Sequence, residues 1–193
     1  MQNFAQISSA MLEKIRKSKT VVISGDEIPY TEELADYKKS ALLYGKSYIR
    51  GLYVNEDTGE AICVVSSGLK ELLRHDTAKD RVQAQSIAAI PELIRNAIYV
   101  YKETNESPIV NPFVLEYRYY LCGLKIGHAD YTVKMVIAVD KDNNRYYDHK
   151  LTQIEKGKLM DMVAVAELTD SQRQILLEIE DKRLLDILKK IKG

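Results

Sequence analysis

The sequence has no tryptophan, two phenylalanines and two cysteines among its 193 residues. Cys63 and Cys122 have no neighbouring cysteine and no metal-ligand spacing, so we interpret them as free thiols in a reduced cytosol. No apolar run approaches the roughly 20 residues that span a membrane, and residues 1–18 lack the continuous apolar region of a secretory signal. These absences predict a cytoplasmic protein that does not contact a membrane.

An excess of charge of either sign is also missing. The 28 Lys and Arg residues balance 28 Asp and Glu residues, which leaves a net charge of zero with neutral histidines. Nucleic-acid-binding domains usually carry a basic surface. An RNA partner of this chain would therefore have to be held by a local patch of cations.

Motifs for nucleotide and metal chemistry are absent as well. The chain contains no G-x-x-x-x-G-K-[ST], no G-x-G-x-x-G, no H-E-x-x-H and no G-x-S-x-G. No two of its three histidines are close in sequence, which makes them poor zinc ligands. We expect neither a metal nor a cofactor.

Helical patterns dominate the first half of the chain. Apolar residues at helical spacing predict an amphipathic helix over 3–18, and a second helix begins after Thr31 and ends at Gly45. We interpret 1–45 as an N-terminal helical cap. An α+β domain over 46–155 then begins with a hairpin and continues with helices on both sides of residue 77.

Strand patterns follow over 97–102, 113–122, 128–139 and 145–151. Odd-numbered positions of the two middle strands are mostly apolar or aromatic, so we expect them to face the core. The even-numbered positions should then form one open polar face. That face would contain Arg118, Tyr120, His128, Thr132 and Lys134.

A capping box at Thr169–Gln172 predicts a long helix that ends near Lys190, within a C-terminal helical appendage over 156–193. Its apolar stripe either packs on the domain or pairs with a partner, as in a homodimer through 170–191. The stripe consists of Ile175, Leu176, Ile179, Leu184, Ile187, Leu188 and Ile191. The predicted fold class is therefore α+β, with an antiparallel sheet of about four to six strands, helices on one face, the N-terminal cap and the long C-terminal helix.

Histidine, lysine, arginine, tyrosine and threonine gather near this sheet, and metal-free RNA cleavage uses such a set. A base removes the 2′-hydroxyl proton, an acid protonates the leaving oxygen, and cations stabilise the phosphorane. Histidine can take either proton role near neutral pH. From the residues alone this indication is weak, because structural histidines and solvated helix faces look the same in a sequence.

Four segments together resemble a known family. They are SSGLKELLRHD (66–76), IPELIRNAIYVYKE (90–103), YRYYLCGLKIGHADYTVKMVIAVD (117–140) and RYYDHKLTQIE (145–155). The chain is similar to the large polyvalent protein-associated domains of phages and mobile elements, within the barnase–EndoU–colicin E5/D–RelE (BECR) nuclease superfamily. This resemblance implies a metal-independent, nuclease-like domain over 46–155, found in bacteria and able to cleave RNA by acid–base transesterification.

The resemblance also implies site residues. His149 and His75 would transfer protons, with Lys70 and Thr152 completing the catalytic set. Substrate would be bound by Arg118, Tyr120, His128, Lys134 and Tyr147. This ribonuclease hypothesis requires these side chains to converge in one cleft.

A second hypothesis keeps the fold without catalysis. In it the chain is an interaction or accessory module of a mobile element, which binds protein or nucleic acid through its Tyr-rich sheet face. The balanced charge of the chain leaves this alternative open.

Overall fold

The computed structural model describes residues 9–70, 80–106 and 111–161. His75 and the long helix predicted beyond residue 170 lie outside these ranges. Lys70 is described as the last residue of a short helix.

The described chain contains five α-helices and seven strands. Their bounds, in chain order, are α1 Ser9–Lys17, β1 Val21–Ile23, α2 Leu34–Tyr44, β2 Gly51–Val54, β3 Ala61–Val64, α3 Ser66–Lys70, α4 Asp80–Gln85, α5 Ile90–Asn96, β4 Ile98–Thr104, β5 Val114–Ile126, β6 Ala129–Asp140 and β7 Arg145–Lys156. A π-helical turn over Gly45–Ile49 continues α2, and a 3-10 turn over Ser86–Ala89 precedes α5. Pro91 stands in the first turn of α5, where its missing N–H costs no hydrogen bond.

All seven strands belong to one mixed sheet in the order β1-β5-β6-β7-β3-β2, with β4 paired to β5 beside β1. β1 runs parallel to β5 and β3 runs parallel to β7. The predicted antiparallel sheet of four to six strands is therefore wrong. The long hairpins were recognisable, but strands β1 and β3 come from distant segments, and a strand pattern does not specify its partner or direction.

Helices α2 to α5 cover one face of the sheet and build the main core. Their apolar residues pack against the sheet side chains of that face, among them Ile62, Tyr120, Cys122, Leu124, Val133, Met135, Ile137 and Tyr147. On the other face, α1 contributes Ile15 to a smaller cluster with Leu121 and Leu159. Of the helices that the structure describes, four therefore cover one face and one packs on the other.

The β5–β6 turn sets which side chains share a face. Gly127, with φ +57°, and His128 form a two-residue connection, so Ile126 pairs with Ala129 and Tyr120 pairs with Met135. Even positions of β5 therefore share a face with odd positions of β6.

The predicted core parity of β5 is consequently wrong. Phe113 and Leu115, expected in the core, are 80% and 50% exposed, whereas Tyr120, expected on the open face, is fully buried. The prediction for the centre of β6 is confirmed, since Val133, Met135 and Ile137 are buried. The hydrophobic pattern therefore predicted where both strands lie. The length of the loop between them determines which of their side chains share a face.

Candidate functional site

β7 has an irregularity directly after Asp148, beside the buried His149. Lys134 pairs with Gln153 and Val136 with Asp148, so residues 149–152 all lie opposite a single residue of β6, Met135. Thr152 Oγ1 holds this bulge by donating to the Asp148 carbonyl at 2.7 Å and accepting from the Val136 N–H at 3.2 Å. Asp148 is in register with Val136, so ordinary strand alternation places His149 on the same helix-covered face as Tyr147.

His149 and Tyr147 form a buried pair. His149 is 0% exposed, and its Nδ1 lies 2.8 Å from Tyr147 Oη. Burial lowers the pKa of His149 to about 4 and raises the pKa of Tyr147 well above its ordinary value. Both side chains are therefore neutral at pH 7. Within the described residues, His149 Nε2 has no hydrogen-bond partner.

Arg118 lies on the same, helix-covered face, inside a cluster of charges. Its Nε donates to Glu116 Oε1 at 2.7 Å and its Nη1 to Glu60 Oε1. Arg145 also reaches Glu60, at 2.9 Å, and Lys102 reaches Glu116 at 2.9 Å. These two carboxylates are thus already paired with the cations that would otherwise be available to bind a phosphate.

The cluster also includes Tyr120 and shifts several pKa values. Tyr120 Oη donates to Glu60 Oε2 at 3.2 Å, and burial together with Glu60 raises its pKa to about 12. Burial alone would raise the pKa of Glu60, but Arg118 and Arg145 hold that pKa below its ordinary value. The ring of Tyr120 is thus buried in the core, and its hydroxyl group hydrogen-bonds to a carboxylate of the ion cluster.

Among the predicted site residues with described side chains, His128 and Lys134 do not join His149. His128 is exposed at the β5–β6 turn, and the chain advances seven residues from there to Met135, roughly 23 Å at about 3.3 Å per residue. Lys134 lies on the opposite sheet face from Arg118, because it pairs with Leu121. The side chains of Lys70 and His75 lie outside what the structure describes.

That opposite face carries a stacked aromatic pair. The rings of Tyr101 and Tyr119 lie 4.4 Å apart at 18°. Lys134 Nζ sits 4.6 Å from the Tyr119 centroid and 5.6 Å from that of Tyr101, within cation–π range. Tyr119 Oη donates to Glu103 Oε2 at 2.8 Å, and burial and Glu103 together raise the pKa of Tyr119.

Two further tyrosines extend this pair across the sheet. Tyr117 accepts a 2.9 Å hydrogen bond from Asn111 Nδ2, and Tyr146 faces the same side because it pairs with Ala138, the partner of Tyr117. We call Tyr101, Tyr117, Tyr119, Lys134 and Tyr146 the tyrosine face. Of these, our sequence prediction named Lys134 alone. The tyrosines at 117 and 119 were assigned to the core, and no local pattern marked Tyr101, because a register shift in β4 places it opposite Tyr119 while Tyr99 packs on the helix-covered face.

A cavity of about 300 Å³ lies at the other end of this face, between α1, β5 and residues 158–160. Its lining includes the cationic side chains of Arg16, Lys125 and Lys158 and the carboxylate of Asp130. No histidine or cysteine is among its described lining residues.

Over residues 9–70, 80–106 and 111–161, no group of three or more His, Cys, Asp or Glu side chains could hold a metal ion. In the same part of the chain, no helix is long and apolar enough to cross a membrane.

Comparison with known proteins gives one family. The model of large polyvalent protein-associated domain 3 matches residues 32–147, more than half of the chain. No curated protein and no solved structure matches. The matched segment includes the tyrosine face and ends two residues before His149. The polyvalent-protein part of the predicted resemblance is confirmed, while the wider nuclease superfamily stays a prediction. The chain belongs to the large polyvalent protein-associated domain 3 family.

Proposed function

We propose that this domain is a non-catalytic module of a polyvalent protein that binds a protein partner through its tyrosine face. The observation that carries the proposal is the stacked Tyr101–Tyr119 pair beside Lys134, on the sheet face that helices α2 to α5 leave open. Tyrosine contributes large contact area with few rotatable bonds and a polar hydroxyl, which suits protein recognition.

Burial argues against the ribonuclease alternative. A general acid or base must come within hydrogen-bond reach of the substrate, and His149 is 0% exposed on the helix-covered face of β7. Its lowered pKa also keeps it neutral at pH 7, so it would have to act as a base rather than as an acid. Arg118, the predicted phosphate ligand, is already bonded to two carboxylates.

The charges on the open face favour protein over nucleic acid. Glu103 bonds Tyr119 and Asp148 pairs with Val136, so two carboxylates lie with Lys134 at the tyrosine end of this face, away from the cations that line the cavity. A polyanion would be repelled by these carboxylates. A peptide with basic and apolar side chains would instead find carboxylates, aromatic rings and the exposed Leu115 together.

The test uses a displayed library of random peptides selected on the full chain. We expect enriched peptides that carry basic and apolar residues and that bind wild type at least about tenfold tighter than a Tyr101→Ser/Tyr119→Ser variant, a loss of about 1.4 kcal/mol. The matched control is Tyr44→Ser/Tyr48→Ser, which removes another contacting tyrosine pair, 5.1 Å apart, on α2 and the π-helical turn. Peptides that bind all three proteins equally would contradict the proposal.

A second arm tests the enzymatic alternative directly. The wild type and a His149→Asn variant are incubated with tRNA and with mixed RNA in EDTA. We expect intact RNA in every lane. Cleavage by wild type that disappears in His149→Asn would replace the binding proposal with a ribonuclease.

A further inference from the structure

Strand β2 is an end strand of the sheet, and its exposed side chains are apolar. In the described sheet it pairs with β3 alone, without a register shift. Leu52 and Val54 are 67% and 54% exposed, and the strand Gly51–Val54 contains no charged residue and no proline. Edge strands usually carry lysine, proline or a bulge, which prevent another strand from adding to them. Strand β2 has none of these three protections.

The backbone of β2 directs four polar groups away from the sheet. Asn55 N–H donates to the Glu60 carbonyl at 2.9 Å, so the backbone groups of Asn55 point across the hairpin. Because this direction alternates along an antiparallel ladder, the N–H and C=O of Tyr53 also point toward β3, and those of Leu52 and Val54 point outward. Among the residues that the structure describes, these four outward groups have no hydrogen-bond partner.

The chain itself closes both ends of this open stretch. The next outward positions on either side are Arg50 and Glu56. Arg50 N–H donates to the Gly45 carbonyl at 3.2 Å, and Glu56 N–H donates to the Arg95 carbonyl at 2.9 Å. The π-helical turn and the end of α5 therefore occupy the space beside these two residues. Between them lies a window where an added strand can bond to two residues of β2.

The closed ends argue against a second copy of the chain as the added strand. An antiparallel copy bonded through the same two outward residues would place its Arg50 opposite Glu56 and its Glu56 opposite Arg50. In each copy, the space beside both residues is already taken by a carbonyl of its own chain. An extended segment without such flanking structure fits the window instead.

The neighbouring side chains define which segment fits. Residues that bond Leu52 and Val54 would lie directly opposite them, so apolar side chains there would remove two exposed residues from water. The residue between would lie opposite Tyr53, which packs against the main core with the Arg95 guanidinium 5.4 Å from its ring centroid. An aromatic or β-branched residue suits that position. The window therefore fits an extended segment with apolar residues on both sides of an aromatic or β-branched one.

We propose that β2 is a strand-addition site, at which an extended apolar segment of another protein pairs with Leu52 and Val54. Two residues of that segment exchange four hydrogen bonds with the outward groups. The site goes beyond the proposed function, because it uses the backbone of the sheet edge and none of the tyrosine face. Tyr146 of that face is two strand spacings away, roughly 10 Å, so one partner can occupy both sites.

The experiment selects displayed random peptides on the full chain carrying Tyr101→Ser/Tyr119→Ser, so that binders of the tyrosine face are not enriched. The selected peptides are then measured on wild type, Leu52→Pro and Leu52→Val. Proline removes the outward N–H and suits an edge strand, since no hydrogen bond to β3 is lost. We expect Leu52→Pro to bind at least about tenfold more weakly than wild type, because a hydrogen bond of the added strand is lost.

The matched control is Leu52→Val, which keeps the N–H and an apolar side chain and should bind like wild type. Equal circular dichroism spectra of the three proteins check that both variants fold. A folded Leu52→Pro that binds as tightly as wild type would overturn the proposal, as would a selection that enriches no peptide. Self-association of wild type that Leu52→Pro abolishes would make a second copy the occupant, which also overturns it.

A second measurement changes the peptide and does not depend on a folded variant. Each selected peptide is synthesised again with a methyl group on one amide nitrogen at a time. We expect binding to be lost at every second amide of the paired residues, because alternate amides of an added strand point at β2. A loss at all of these amides, or at none, would contradict strand addition.

The outcomes also separate this site from the proposed function. Peptides that need Tyr101 and Tyr119, with none that needs the outward N–H of Leu52, would leave the tyrosine-face module standing and remove the strand-addition site. Peptides that need this N–H, with none that needs the two tyrosines, would support strand addition and remove the proposed function.

Discussion

Burial determines what individual titratable side chains of this protein can do. His149 and Tyr147 are held neutral in the core by the loss of solvation. Arg118 remains charged because two carboxylates, Glu60 and Glu116, bond it directly. The first pair joins β7 to the core, and the ion cluster joins β5 to the segments that contain Glu60 and Arg145.

The pKa of His149 predicts a loss of stability in mild acid. Between pH 6.5 and about 4 the unfolded chain binds a proton at this residue and the native chain does not, so the free energy of unfolding falls as pH falls. The shift from 6.5 to about 4 corresponds to about 3 kcal/mol at most. We expect urea unfolding at pH 7 and pH 4.5 to show this loss in wild type.

The control for this prediction is His149→Asn, which keeps a polar atom near Tyr147 Oη but does not titrate. Its stability should fall by less over the same pH interval, whatever its stability at pH 7. An equal fall in both proteins would show that other groups cause the acid sensitivity.

At the scale of elements, α3 and β7 approach each other at a glycine. A Cβ added to Gly68 would lie 2.6 Å from the Tyr147 carbonyl oxygen, which is backbone and cannot rotate away. This close approach sets the position of Tyr147 and, through it, of His149. Leu69 next to it is fully buried in the main core.

Gly68→Ala should therefore push α3 away from β7 and lower the free energy of unfolding by about 1–3 kcal/mol, as overpacking does. Gly51→Ala is the matched control, because its added Cβ would lie at an ordinary 3.6 Å from the nearest atom, the Tyr53 hydroxyl oxygen. That substitution should be neutral or slightly stabilising, by up to about 1 kcal/mol, since alanine restricts the unfolded chain. Urea unfolding of both variants measures the difference, and equal stabilities would refute the contact.

At the scale of the whole molecule, the sheet joins segments far apart in the chain. β1 lies next to β5 and β3 next to β7, so early strands pair with late ones. The predicted domain boundary at residue 45 would assign β1 to the N-terminal cap. In the structure, β1 is a strand of this sheet. Strands shared in this way couple the stability of both halves of the chain.

We therefore expect the described parts of the chain to unfold as one unit. Far-ultraviolet circular dichroism and tyrosine fluorescence, available because the chain has 13 tyrosines and no tryptophan, should give the same urea midpoint. Two separated transitions, with the tyrosine signal changing in one of them alone, would indicate that the halves are independent.

The sequence by itself determined where the long hairpin strands lie and the family to which the chain belongs. Alternation over 113–139 is a local property of the sequence. The family resemblance also depends on local segments, and its polyvalent-protein part is confirmed. The sequence also identifies candidate titratable residues, because the residue type determines which chemistry a side chain can perform.

Tertiary structure alone decided the facing and the environment of those residues. The two-residue turn at Gly127 reversed the expected facing of β5, the register of β7 on β6 placed His149 on the helix-covered face, and parallel pairing brought β1 and β3 into the sheet. Each of these depends on partners that are distant in sequence or on loop length. Burial and register are properties of the assembled sheet, and for that reason no local pattern placed the tyrosine face.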